Sequence, residues 1–436
     1  MGIINWLRDF YSKNTSSKTR TFIGKIRALL RRLFTDRTMI QRKISVNAKL
    51  EQALRNKKKI KIAFFILSDS EWKFGKLYEL FEEDSRFEPI VIICPLWKVD
   101  ERIMMNDVME RTYSFFQLKG YKVLKTYDKE NDIWLDVKKE CAPDIIFWGF
   151  PYDKQTKDEY FITSYPEVLA CYVPYFFGTV SCLWAFDLLF HNLLWILFCE
   201  SSFHKEMYEY KERRRGENVY VSGYPPVDKF LYSSSSNFQW KIKDRNFYRL
   251  IWAPHHTIDK DGYSNFLVYS QIMLDIVKKY ENNIQFVFKP HPLLRTKLYE
   301  LKGWGKEKTD AYYTLWDSMP NTKLCDGEYV DLFLSSDGMV HDSGSFTVEY
   351  LYTLKPVYYF ASKNRIKDLN KFGDKAYRLH YLGYSKEDLI SYIEKVVLKG
   401  QDDLYSKRKA FYENYLLPPG GQTAAENIYD KIKSYL

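Results

Sequence analysis

The sequence predicts an α/β protein: two parallel-sheet domains facing across a cleft, behind a basic helical N-terminal extension. Three observations predict it. From Ile60 onward, short apolar runs alternate with helical patterns, the rhythm of a parallel sheet with crossover helices. That rhythm occurs on both sides of the serine-rich stretch Tyr232–Asp244, which reads as a linker. The 436 residues are also too many for one core. Two Rossmann-like domains follow, over residues 59–231 and 245–400. Residues 1–58 form the extension, and terminal helices over 401–436 can pack back on the N-terminal domain.

Charge sets the extension apart. The chain carries a net +10. Residues 1–61 hold 17 Lys and Arg against 3 Asp and Glu, a net of +14, so the other 375 residues sum to −4. A slightly acidic body argues against a general nucleic-acid binder. It points instead to a local contact with an anionic surface. Within Thr21–Phe34, Phe22, Ile26, Leu29, Leu30 and Leu33 recur at helical spacing, with Lys25, Arg31 and Arg32 mostly off that face. A basic amphipathic helix reads as lying on an anionic membrane; packing on the body or on another subunit is the alternative. The six cysteines (Cys94, Cys141, Cys171, Cys182, Cys199 and Cys325) form no CxxC and no framework spacing. They read as free thiols in the cytoplasm. Met1–Arg20 lacks the apolar core of a secretory signal. Val180–Cys199 is long enough to span a membrane. Asp187, His191 and Asn192 near its middle argue for a buried core helix instead.

The elements follow in order. Ile60–Leu67 is a strand apolar on both faces, and Ser68-Asp69-Ser70 caps a helix over Trp72–Glu83. Glu88–Cys94, Tyr121–Leu124 and Asp144–Trp148 are strands, with helices over Met105–Lys119 and Ile133–Glu140. An aromatic block, Tyr160–Glu200, precedes a last strand at Asn218–Ser222 and the turn Gly223–Asp228. After the linker come strands at Arg249–Ala253, Ile284–Lys289, Gly338–His341 and Pro356–Phe360. Helices alternate with them over Phe266–Tyr280, Leu293–Leu301 and Thr347–Leu354, and Val330–Leu334 is a short helix or strand. Lys386–Lys399 and Thr423–Tyr435 are terminal helices.

Candidate chemistry collects at strand ends, where open α/β sheets bind ligands. Asp342-Ser343-Gly344-Ser345-Phe346 joins a strand to a helix. Ser345 is placed to cap that helix, and Gly344 lets a phosphate approach the backbone. Free N–H groups of the first turn can then bind diphosphate oxygens. Glu349, one turn on, can accept from ribose hydroxyls. An ordinary capped helix has the same spacing. His291 follows a strand, and Pro292 stiffens the backbone beside it. A histidine there can donate to a phosphate or act as a general acid; bonding to backbone is the plainer role. His255 and His256 follow another strand. Neighbours in extended chain point to opposite sides, so one of the two is expected to face the cleft. No HxxxH, HxH or cysteine partner accompanies them, so no metal site is expected. His191 reads as a core histidine more readily than as a base. GxGxxG after the first strand and the Walker A lysine motif are both missing.

These pieces, in this order, resemble the CDP-glycerol glycerophosphotransferases, the teichoic-acid polymerase-like enzymes of bacterial cell-surface polymers. The resemblance runs from about Tyr172 to Tyr359. Gly223–Asp228, Trp252–Pro254, His291-Pro292 and Asp342–Glu349 carry it most specifically. It implies a GT-B fold, a donor CDP held mainly by the C-terminal domain, attachment to the cytoplasmic membrane face, and no catalytic metal or other cofactor. By position, His291 resembles the family's essential histidine before proline. Asp342, Ser345 and Glu349 match its Asp-x-x-Ser-x-x-x-Asp pattern, with Glu for the last Asp, and Gly344 stands where a second Ser is frequent. One departure matters. The family's His-Gly-Thr has its nearest match in Phe177-Gly178-Thr179, and phenylalanine takes no proton. Asp187, His191, His255 and His256 are then the candidate proton acceptors.

The resemblance implies a transferase of cell-surface polysaccharide synthesis on the inner face of the cell membrane, held there through residues 1–58. It would move glycerol phosphate, or a related alditol phosphate, from a CDP-activated donor to a hydroxyl of a lipid-linked or polymeric glycan. His291, Pro292, Asp342, Ser343, Gly344, Ser345, Phe346 and Glu349 would hold the nucleotide. Glycosyl transfer from a nucleotide sugar in capsule or O-antigen synthesis is an alternative. A non-catalytic place in an assembly complex is another.

Overall fold

Apolar runs without alternation make strands that are buried on both faces, and such strands need helices on either side. Two sheets of this kind organise the chain. The computed structural model describes residues 17–96, 102–181, 186–233, 236–259, 262, 264–327, 329–361 and 367–436, without the side chains of 17–34 and 102–104. The first sheet contains β1 (Ile60–Ile66), β2 (Phe87–Ile93) and β3 (Val123–Lys125). A small antiparallel hairpin of β4 (Tyr127–Asp128) and β5 (Ile133–Trp134) follows. The sheet resumes with β6 (Ile145–Trp148), β7 (Leu169–Tyr172), β8 (Ile196–Cys199) and β9 (Val219–Val221). Its order is β3-β2-β1-β6-β7-β8-β9, and every pairing is parallel.

The second sheet holds β10 (Tyr248–Ala253), β11 (Ile284–Phe288), β12 (Thr322–Leu324), β13 (Gly338–His341), β14 (Val357–Phe360) and β15 (Tyr381–Gly383). It runs β12-β11-β10-β13-β14-β15, again parallel throughout. In both sheets the chain builds outward from a central strand, then crosses back to that strand's other side. The reversals fall between β1 and β6 and between β10 and β13. At such a point two loops diverge and leave a crevice past the strand ends. This is the predicted α/β fold of two Rossmann-like domains.

Several expected elements differ. Ile133–Glu140 is not one helix: Ile133 and Trp134 enter the hairpin, and Asp136 caps a single turn, Val137–Glu140. Val180–Cys199 is not a core helix either. Its described part contains the short helix Leu189–Leu193 and then β8. The polar residues in its middle break the run. His191 Nδ1 accepts from the Leu188 N–H, and Asn192 donates to Asp187 and to the Leu188 carbonyl. Among the described residues no helix is long and apolar enough to cross a membrane. Cys182 lies outside them, and the other five cysteines are free and buried. Strands β7, β12 and β15 and the helices Gly305–Ser318, Lys371–Tyr377 and Tyr405–Phe411 are additional to the predicted set.

One helix, Ser17–Arg55, covers most of the basic extension. The face over Thr21–Phe34 falls on side chains outside the description. From Asp36 onward the helix is part of the N-terminal domain, well before residue 59. Buried Lys43 donates to the carbonyls of Tyr165, Pro166 and Val168, Asp36 pairs with Arg213, and Glu51 accepts from the Trp195 indole.

The last helix, Ala424–Tyr435, crosses back to the N-terminal domain and packs Ala425, Ile428 and Ile432 among Phe81, Phe147 and Phe198. Gly223–Asp228 is its seat. Gly223 has φ +90°, and a Cβ there would meet Pro418 at 2.8 Å. Asp228, 2 % exposed, accepts from the N–H groups of Ala424 and Ala425 at 2.8 and 2.9 Å. Removing that acceptor strands two buried donors. Asp228→Ala should lose on the order of 1–3 kcal/mol in urea denaturation, and Asp228→Asn, which keeps one acceptor oxygen and sets an NH2 group against the other donor, should recover only part of that loss.

Candidate active site

The C-terminal domain presents three segments past adjacent strand ends. His255 and His256 follow β10, His291 follows β11, and Asp342–Phe346 follows β13. The two neighbouring histidines do not diverge as expected. The chain turns sharply after Pro254, and both rings lie against His291, at 4.9 Å from His255 and 4.2 Å from His256. The three residues offer ring nitrogens within 4.8 Å of one another.

Hydrogen bonding fixes what two of these rings present. The Leu293 N–H donates to His291 Nδ1 at 3.1 Å, which makes His291 the cap of the helix Pro292–Glu300. The Thr257 N–H donates to His255 Nδ1 at 3.3 Å. A ring nitrogen that accepts carries no proton, so the neutral ring carries it on Nε2 and donates there. Burial, with His256, Lys289 and Lys297 nearby, takes His291 down to about 3. The neutral ring therefore persists through the physiological range. A metal would need the Nε2 lone pair; a phosphate oxygen needs the N–H. The arrangement fits an anion.

Past β13 the carboxylate of Asp342 is turned into the protein. It accepts from the backbone N–H of His255 and of Asn265, each at 2.6 Å. Asp342, expected at the nucleotide, instead holds the histidine loop in place. Ser345 also differs from expectation: its side chain makes no cap, and the helix is the single turn Phe346–Glu349. Among the described residues no carbonyl accepts from the N–H groups of Gly344, Ser345 or Phe346. Ser343 is buried, its N–H donating to His341, and Pro292 is exposed at the start of its helix. Glu349 is 3 % exposed, and its Oε2 has no hydrogen-bond partner. Burial pushes its carboxyl up to about 7, with a hydrogen bond from Tyr329 opposing.

The N-terminal domain faces this surface with residues that sequence reasoning missed. Glu71 and Lys73 follow β1, and Lys73 donates to the Gly149 carbonyl past β6. Burial pushes the Glu71 carboxyl up and the Lys73 ammonium down, each opposed by the other's charge. Glu200 follows β8, and its Oε1 accepts from the Gly178 N–H at 2.9 Å. His204 is bonded through both nitrogens, to Ser201 and to the Gly178 carbonyl. A narrow recess is lined by Tyr152, Tyr175, Phe176, His191, Glu200 and His204, among others. Glu71, Lys73 and Glu200 follow strands with no shared spacing, and His204 lies in the helix Ser202–Lys211; the position of Glu200 just past an apolar run was the available signal.

Of the expected proton acceptors, Asp187 lies in a network with Arg213 and Asn192. His191 lines the recess, but burial takes it down to about 3. Phe177 is fully buried, stacked on Phe372 of the C-terminal domain at 5.5 Å and edge-on to Tyr224 at 5.1 Å. Asn370 bridges the domains there, donating to the carbonyls of Gly178 and Val180.

A family model described as CDP-Glycerol:Poly(glycerophosphate) glycerophosphotransferase matches residues 197–434, more than half of the chain. The chain belongs to this family. It is a transferase, and the matched region contains His255, His256, His291 and Asp342–Phe346. Among curated proteins none matches it. Among solved structures it is similar to the wall teichoic acid polymerase TagF, with TM-score 0.57 and 13 % identity over 96 % of this chain and 98 % of that one. The S. aureus MnaA–UDP structure aligns with TM-score 0.55 and 16 % identity over 86 % and 96 %. UDP-GlcNAc 2-epimerase from Neisseria meningitidis, bound to UDP-GlcNAc, gives 0.53 and 16 % over 86 % and 100 %. At these identities the likeness establishes the shared GT-B fold.

The histidine geometry has a pH consequence. The folded-state pKa of His291 lies below its ordinary 6.5. Its contribution to stability is therefore complete above pH 6.5 and is lost as pH falls towards 3. Imidazole resonances of His291 should stay those of a neutral ring from pH 8 to 5 by NMR. The acid-side loss of stability should be smaller in His291→Gln. A midpoint near 6.5 would contradict the buried geometry.

Proposed function

We propose that this transferase moves glycerol phosphate from CDP-glycerol to an acceptor hydroxyl in the synthesis of a teichoic-acid-like cell-surface polymer. One observation carries the donor site: Glu349, a buried carboxylate with an unpartnered oxygen, stands one turn from three unbonded backbone N–H groups. A ribose hydroxyl satisfies the first and a diphosphate the second. Family membership supports a CDP-linked donor.

In this reading the diphosphate lies over Gly344–Phe346, with His291 Nε2–H donating to it and the ribose on Glu349. The acceptor oxygen attacks the glycerol-bearing phosphorus, the bond from that phosphorus to the bridging oxygen breaks, and CMP leaves. Negative charge grows on the leaving phosphate, where the imidazole and amide donors are already placed, so little reorganisation is needed. The proposal needs no resident cofactor. We further propose that the basic N-terminal segment holds the enzyme on the anionic inner face of the cell membrane.

CDP-glycerol and CMP should raise the melting temperature more than uridine or guanosine nucleotides do. CMP release should fall about 100-fold or more in His291→Ala, as for loss of a transition-state donor. Glu349→Ala should weaken CDP-glycerol binding by about tenfold, the loss of one charged hydrogen bond. Release of a nucleoside diphosphate from a nucleotide sugar, with CDP-glycerol inert, would replace this reading with glycosyl transfer. Deleting residues 1–34 should abolish co-sedimentation with anionic vesicles and leave neutral vesicles unaffected; unchanged co-sedimentation would remove the membrane role.

A further inference from the structure

The recess on the N-terminal side has a composition of its own. Tyr152, Tyr175 and Phe176 form its mouth, with Tyr175 39 % exposed. Tyr175 packs edge-on to both neighbours, at 6.2 Å from Tyr152 and 4.9 Å from Phe176. His191, Glu200 and His204 lie deeper and are buried. Among the described residues no lysine or arginine lines it, and Lys73 stands 5.5 Å from the ring of lining Tyr172.

Its titratable groups differ sharply in what they can do. His204 is bonded through both nitrogens. His191 Nδ1 accepts from the Leu188 N–H, so the neutral ring offers only a donor. Glu200 uses Oε1 on the Gly178 N–H, and Oε2 makes no hydrogen bond. It is the one lining group with a free lone pair and a negative charge to receive a proton. It also adjoins the seam between the domains: the Gly178 whose N–H it accepts follows Phe177, which stacks on Phe372, and the Gly178 carbonyl accepts from Asn370 of the C-terminal domain.

We infer that this recess is the acceptor subsite, that it takes a hydroxyl of an uncharged sugar, and that Glu200 is the proton acceptor. The inference rests on the donor reading above. Aromatic faces suit the C–H face of a sugar ring. A polyol-phosphate acceptor brings a negative charge with every unit, and the lining meets it with a carboxylate; the neighbouring Lys73, 5.5 Å from the Tyr172 ring, is already engaged by the Gly149 carbonyl and by the Glu71 and Glu200 charges. As the acceptor oxygen bonds to phosphorus and CMP departs, the hydroxyl proton passes to Glu200 Oε2. The Gly178 N–H holds the other oxygen and so aims the carboxylate.

The test measures CMP release from CDP-glycerol by the full chain with two acceptor sets: neutral alkyl glycosides and glycerol phosphate oligomers. Donor binding is followed separately by thermal shift. The glycosides should support turnover. Glu200→Gln, which keeps the bond to Gly178, should lower kcat by about 100-fold or more while the CDP-glycerol shift is unchanged. Tyr175→Ala, at the exposed lip, should raise KM for the glycoside several-fold and leave kcat near wild type. Turnover on glycerol phosphate oligomers alone, wild-type kcat in Glu200→Gln, or no turnover on either set with the CDP-glycerol shift intact would each overturn the inference. Loss of the CDP-glycerol shift in the wild type would instead overturn the donor reading, and this inference with it.

Discussion

The buried carboxylate of Asp342 is the interaction on which the proposed donor face depends. It accepts from the His255 and Asn265 backbones at 2.6 Å and is 1 % exposed. Burial pushes it up to about 7, and the two backbone donors oppose that rise. These bonds tie the loop after β10 to the end of β13. Without them His255 and His256 have no reason to lie beside the Ser343–Phe346 turn. The strand reversal makes the crevice, and Asp342 determines what lines it.

A second constraint sets the opposite wall. The Phe177–Val180 segment is held from both domains at once. Phe177 stacks on Phe372, Asn370 donates to Gly178 and Val180, and a Cβ on Gly373 would meet the Thr179 carbonyl at 2.2 Å. The returning helix Ala424–Tyr435, seated on Asp228, adds a second crossing. Two crossings and an apolar seam hold the faces in register. Gly178 belongs to this clamp and also orients Glu200, so domain contact and the proposed proton transfer share one loop.

The donor half was legible because its residues are contiguous and stand directly past apolar strands. His291 after Ile284–Phe288 and the turn after Gly338–His341 are local signals, and the structure brings them together. The roles within that half were less legible. Asp342 and Ser345 fit a ligand motif by spacing, yet which way a buried carboxylate turns is settled by loops distant in sequence. Phe177 stands where the resemblance expects a histidine, but its packing partner Phe372 lies almost two hundred residues on. Val180–Cys199 looked helical because it lacks glycine and proline. Its polar residues act through side-chain bonds to backbone that spacing does not show. Glu200 and His204 share the segment after β8, but Lys73 follows β1, so only the sheet order places it near them.

The account's central claim is that a nucleotide diphosphate spans the reversal between β10 and β13. A crystal structure of the chain with CDP-glycerol tests it directly. The account predicts diphosphate oxygens within hydrogen-bond distance of the Gly344–Phe346 N–H groups and His291 Nε2, and a ribose hydroxyl on Glu349 Oε2. Nucleotide bound elsewhere, or a metal ion held between His255, His256 and His291 with no phosphate contact, would contradict it.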